Sequence, residues 1–142
     1  MKLSIIPGLL GLAFSISACG QKLDASNVPA PVKESFAKHF PSVKSKWVKE
    51  DTKYEAAFDY QGNEMSATFE ADGTMTESEM EVKITDLPAK ALDYIKTQRS
   101  GAKVKEAARI TLANGDVQYE AEIKGLDLIF DSNGNFIKEV KQ

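Results

Sequence analysis

Lys53-Tyr54-Glu55-Ala56-Ala57-Phe58-Asp59-Tyr60, a Gln61-Gly62 break, then Asn63-Glu64-Met65-Ser66-Ala67-Thr68-Phe69: through this stretch apolar and polar residues alternate. Tyr54, Ala56, Phe58 and Tyr60 share one side against Lys53, Glu55, Ala57 and Asp59, and Met65, Ala67 and Phe69 oppose Glu64, Ser66, Thr68 and Glu70. A period of two predicts strands with one buried face, and Gly62-Asn63 between the runs predicts a hairpin.

Later residues repeat the pattern. Val117, Tyr119, Ala121 and Ile123 alternate with Gln118, Glu120, Glu122 and Lys124, and further turn signals stand at Asp72-Gly73, Asn114-Gly115 and Asn133-Gly134. Val28-Pro29-Ala30 resembles Leu87-Pro88-Ala89, Tyr54-Glu55-Ala56 recurs as Tyr119-Glu120-Ala121, and Phe69 to Gly73 recurs as Phe130 to Gly134. Ahead of each strand set the period lengthens to that of a helix. Pro31 suits a first helical position, Val32, Phe36 and Phe40 form a stripe, and Pro41 stops it; in the second half Pro88 starts the helix, Ala91, Leu92 and Ile95 form the stripe, and Ser100-Gly101 ends it. The expectation is an α+β fold of two tandem repeats, residues 28–84 and 85–142, each of one helix and about four antiparallel strands, with both helices on one face. Each half alone would bury too little, so one continuous sheet is favoured.

These residues carry a family resemblance. Trp47-Val48-Lys49-Glu50, then Tyr54 to Phe58, Phe69 to Gly73 and Thr76-Glu77, resembles the PepSY-like family of beta-lactamase-inhibitor-like proteins. The Leu87-Pro88 helix, Gly101-Ala102-Lys103 and the Phe130 to Gly134 turn resemble its second unit, so the likeness runs from about Val28 to Val140. It implies a secreted or periplasmic duplicated α+β domain. It implies no activity, because the inhibitor label describes an architecture.

Met1-Lys2 followed by an apolar run from Leu3 to Ile16 has the layout of a secretory signal peptide and is too short to span a membrane stably. Ile16-Ser17-Ala18-Cys19 looks like the lipobox of bacterial lipoproteins, which makes residues 1–18 a signal peptide, Cys19 the lipidation site and residues 19–27 a tether. By resemblance to lipoprotein sorting rules, Gly20 in place of an Asp favours the outer membrane, facing the periplasm. Cleavage would remove one charged residue, Lys2, and shift the formal charge from −3 to −4. That balance suits neither a nucleic-acid partner nor a polyanion. With one Cys and one His in the chain, a thiolate metal site, a redox Cys pair and a Cys/His nucleophile are poorly served. No cofactor is called for, and a monomer is expected.

Candidate chemistry is sparse. Asp131-Ser132-Asn133-Gly134-Asn135 has oxygen ligands at alternate positions, but Gly is fourth and the flanks read as strands, so a hairpin turn is the better reading. His39 falls at a helix end with no nucleophile motif beside it. Glu77 with Glu79, and Glu120 with Glu122, are spaced to share a strand face, as a solvated face would have them. The chain is therefore not read as an enzyme. The candidate binding surface is the open sheet face: Glu55, Asp59, Glu64, Glu70, Glu120 and Glu122, with Lys53 and Lys124 among them. Trp47 joins that face if Val48 points inward; the reading that suits a large aromatic puts Trp47 in the core or at its rim against the helix. The leading expectation is a lipid-anchored, non-catalytic envelope module that binds a protein or peptide through this face, and the alternative is a structural or stress-linked envelope lipoprotein without a specific ligand.

Overall fold

The computed structural model describes residues 20–142. The segment read as a signal peptide, residues 1–18, and the expected lipidation site, Cys19, lie outside the described residues. Among the described residues, nine strands form one antiparallel sheet in chain order: β1 (Gln21–Leu23), β2 (Ser45–Glu50), β3 (Lys53–Tyr60), β4 (Asn63–Phe69), β5 (Met75–Val82), β6 (Glu106–Leu112), β7 (Val117–Ile123), β8 (Leu126–Asp131) and β9 (Phe136–Lys141). Helix α1 (Ala30–His39) precedes β2 and α2 (Ala89–Gln98) precedes β6. A short 3-10 turn leads into each helix, at Ala25–Asn27 and Ile84–Asp86.

Both helices start on proline chemistry instead of a side-chain cap. Pro29 and Pro88 occupy the cap positions, and Pro31 adds a second fixed φ in the first turn of α1. At the far end of α1, Lys38 and His39 meet the negative end of the helix dipole, and His39 Nδ1 lies 2.8 Å from the Ser35 carbonyl oxygen. The Phe40 N–H closes α1 on the Phe36 carbonyl, and the Arg99 N–H closes α2 on that of Ile95.

The helices cover the same side of the sheet with two separate cores. Under α1, Val32 and Phe36 meet Trp47, Ala56, Phe58, Ala67 and Phe69. Phe36 is the hub, with ring centroids 5.0 Å from Phe58, 5.4 Å from Trp47 and 6.4 Å from Phe69. Under α2 the core is more aliphatic: Ala91 and Ile95 meet Ala107, Ala121, Leu128 and Phe130, while Tyr94 stacks on Phe136 at 4.6 Å. Between the cores, β5 and β6 present a polar seam in which Ser78 faces Thr111, Met80 faces Arg109, and Arg109 Nη1 donates to Thr111 Oγ1 at 3.2 Å.

Register shifts fall at Thr68/Phe69 and again at Ile129/Phe130. Each bulge leads into a turn pressed against a helix start. A Cβ on Gly73 (φ +92°) would stand 2.5 Å from the Pro31 carbonyl oxygen, and one on Gly134 (φ +86°) would stand 2.8 Å from the Pro88 Cβ and 2.9 Å from the Ala91 nitrogen. Only glycine satisfies both the left-handed backbone and this approach.

Two sequence expectations need correction. The polar segment read as a tether contains β1, which pairs with Lys49, Val48 and Trp47, and the 3-10 turn capped by the Asp24 carboxylate at 2.8 Å from the Ser26 nitrogen. Of the two placements read for Trp47, the open-face one is overturned and the core one holds: it is 6% exposed and packs edge-on against Phe36 beneath α1. Val48 is buried as well, on the opposite side, so burial at this pair does not alternate.

Candidate functional site

Opposite the helices lies the polar half of every alternation, and strand register arranges it in rows. The central row runs Ala57, Ser66, Glu79, Ile110 and Gln118 across β3 to β7. On one side of it lies the row Val48, Glu55, Thr68, Glu77 and Leu112. On the other, Glu81, Ala108, Glu120, Ile129 and Lys138 are in register across β5 to β9, with the Asp59 and Glu64 pair at the same level on β3 and β4. A last row sets Glu106, Glu122 and Asp127 directly against one another.

From β4 to β8 this face presents carboxylates and no lysine or arginine. Cations stand only at its margins. Lys53 reaches Glu70 at 3.6 Å from the start of β3, and Lys105 reaches Glu122 at 3.4 Å from the loop before β6. Several positions are buried although no helix covers them: Val48, Ser66, Ala108, Ile110 and Ile129. Near the β2–β3 turn the face opens into a hollow of about 370 Å³, lined by Glu50, Glu55, Ser66, Thr68, Glu77 and Glu79 among others.

Packing carboxyls this way raises the proton affinity of several of them. Burial pushes Glu79 up to about 9, reinforced by Glu120, Glu55, Glu77 and Asp127. Burial first, then Asp127 and Glu122, push Glu120 up to about 7. Glu55 is raised by burial and by Glu50, against the Ser66 hydroxyl that stabilises its charged form. Glu64 is raised by burial and by Glu81, with which it shares a hydrogen bond, and Glu106 by burial and Glu122. Asp131 differs: hydrogen bonds from the Asn135 side chain and backbone hold its carboxyl low.

Of the residues read from sequence, Glu55, Asp59, Glu64, Glu120 and Glu122 lie on this face, and Glu70 joins its edge through Lys53. The centre of the site is Glu79, which sequence reading treated as a solvated pair with Glu77. The signal was the run Glu77, Glu79, Glu81 itself; its burial comes from β5 being the middle strand of nine. The Asp131 to Asn135 segment is a hairpin turn: the Asp131 carboxylate accepts from the backbone nitrogens of Asn133 and Asn135, both at 2.9 Å. His39 is exposed on the helix side. Among the described residues no group of three or more His, Cys, Asp or Glu is placed to hold a metal ion, and no helix is long and apolar enough to cross a membrane.

The family model described as "Putative beta-lactamase-inhibitor-like, PepSY-like" matches the chain over residues 15–65 and 52–138, two overlapping regions. Among solved structures, a DUF2874 family protein from Bacteroides uniformis is similar at TM-score 0.69 and 16% identity, covering 80% of this chain and 88% of its own. A BLIP-like protein from Bacteroides fragilis is similar at TM-score 0.65 and 20% identity, covering 80% and 86%. A Bacteroides eggerthii structure described as "putative periplasmic proteins" reaches 0.70 at 14% identity, covering 80% and 88%. At these identities the likeness shows the fold. No curated protein matches the chain.

Proposed function

This chain belongs to the PepSY-like family, and on that premise we propose that it is a non-catalytic module of the cell envelope, lipid-anchored through Cys19, that binds a protein or peptide on the open face of its sheet. One observation carries the reading: from β4 to β8 the uncovered face bears carboxylates without a lysine or arginine on its strands, and Glu106, Glu122 and Asp127 stand opposite one another with Lys105 reaching only Glu122 from the loop before β6. Like charges facing each other across strands destabilise a sheet. A face that needed only to stay soluble would mix its signs.

The envelope assignment is supported by the signal layout ending in Ile16-Ser17-Ala18-Cys19 and by the periplasmic description of a similar structure. An outer-membrane lipoprotein facing the periplasm fits Gly20 after the anchor. Since Gly20 alone separates Cys19 from β1, the lipid would hold the first sheet edge close to the membrane. The two halves are read as tandem copies of one unit, because bulge, turn glycine and proline-led helix start recur together in each.

Affinity capture from the source cell's envelope tests the reading. The wild-type protein should retain a partner that a folded variant carrying Glu55→Lys, Asp59→Lys, Glu120→Lys and Glu122→Lys does not. Equal capture by both would move the site to the helices or loops.

A further inference from the structure

Resting on that reading and extending it to the partner's chemistry, we propose that the open face takes an extended peptide segment bearing arginine or lysine at alternate positions, laid along β5. The periods of the two chains match. Glu77, Glu79 and Glu81 occupy alternate positions of β5 and point to the uncovered side. In an extended chain such positions are about 6.7 Å apart. A second extended chain lying along β5 brings every other side chain down onto the sheet at the same interval, so each cation of an alternating segment meets one carboxylate.

The neighbouring strands fit the rest of such a segment. On β6 the register partners of Glu77, Glu79 and Glu81 are Leu112, Ile110 and Ala108, an apolar rail beside the acidic one. Aliphatic stems of lysine or arginine can lie against Leu112, the partly exposed member of that rail, while their charged ends reach the carboxylates. At one end, the hollow beside Glu55, Glu77 and Glu79 is roomy enough for a guanidinium, which pairs with two carboxylate oxygens at once. No lysine or arginine of the chain competes on β4 to β8 of this face.

Protonation follows from the same geometry. The groups facing Glu79 are Glu55 from β3, the Ser66 hydroxyl from β4, Glu77 on its own strand, Glu120 from β7 and Asp127 from β8, and β6 contributes Ile110. All the charged ones are acidic. A cation brought among them favours the ionised form, so binding releases protons and tightens as pH rises.

The test is calorimetric titration of the full-length chain in detergent at pH 8, in two buffers of different ionisation enthalpy. The probe is a hexapeptide alternating arginine and valine. Saturable binding with release of about one proton is expected. Affinity should fall at least about tenfold in the Glu77→Gln/Glu79→Gln variant, its folding checked by circular dichroism, and by a similar factor for a block peptide of three arginines then three valines. Equal binding of the alternating and block peptides, unchanged binding by the double variant, or the same proton release with magnesium chloride alone would overturn the proposal. If it fails while envelope capture still depends on Glu55, Asp59, Glu120 and Glu122, docking at this face survives and the cationic partner falls. Failure of both experiments removes both.

Discussion

On the covered face, the largest wholly buried side chains are Phe69 and Leu128, Phe130 and Val32, closed over by α1 and α2. On the open face of the same strands the buried positions include Ser66, Ile110, Ile129 and Glu122, with the Glu79 carboxyl near the centre holding a proton well above the usual carboxylate range. Burial on the first face removes apolar surface from water and drives folding. On the second, burial of Ile110 and Ile129 does the same, but the Glu79 carboxyl is taken from water beside other carboxyls, and that part opposes folding. The two faces therefore differ in what their burial costs.

The comparison breaks most easily on the covered side. Phe69→Ala and Phe130→Ala should each lower unfolding free energy by about 3–5 kcal/mol in urea titrations, a large share of a typical small domain's stability. Similar losses from both would show that the aromatic core under α1 and the aliphatic one under α2 bear comparable loads. The turn glycines come next. Gly73→Ala, which puts a Cβ 2.5 Å from the Pro31 oxygen, should cost clearly more than Gly62→Ala, where nothing lies within 4 Å and backbone strain of about 1–2 kcal/mol remains. Equal melting points for these two variants would mean that the turn does not press on the helix start.

On the open side the sign reverses. Because the folded carboxyl of Glu79 titrates above its unfolded value, its contribution to stability is fully present below about pH 4.3 and is lost as pH rises toward 9. The wild-type melting temperature should therefore fall across that window more steeply than that of Glu79→Gln. The smallest expected effect is at the margin: Lys53→Ala, which removes a pair at 3.6 Å between side chains 47% and 41% exposed, should change stability by less than about 1 kcal/mol.

Much of this architecture could be read in the chain. The helical stripes through Val32 and Phe36, and through Ala91 and Ile95, lie in α1 and α2, and the alternation from Tyr54 to Phe69 lies in β3 and β4. What escaped depended on neighbours and not on local pattern. Gln21–Leu23 has no apolar period because it is held by pairing to β2. Trp47 and Val48 are buried on opposite faces, so adjacent hydrophobicity could not say which side was core. Glu79 has the sequence surroundings of a solvated strand residue; only its place on the fifth strand of nine surrounds it with other carboxyls.

The most direct measurement is the melting temperature of the Glu79→Gln variant against wild type from pH 4 to pH 9. Near-equal values are expected at pH 4, with the variant increasingly more stable as pH rises. A variant that is less stable at pH 8 would show that Glu79 serves the fold, and a difference that does not change with pH would show that folding does not raise its carboxyl; either would contradict the claim that Glu79 is taken from water at a cost to stability.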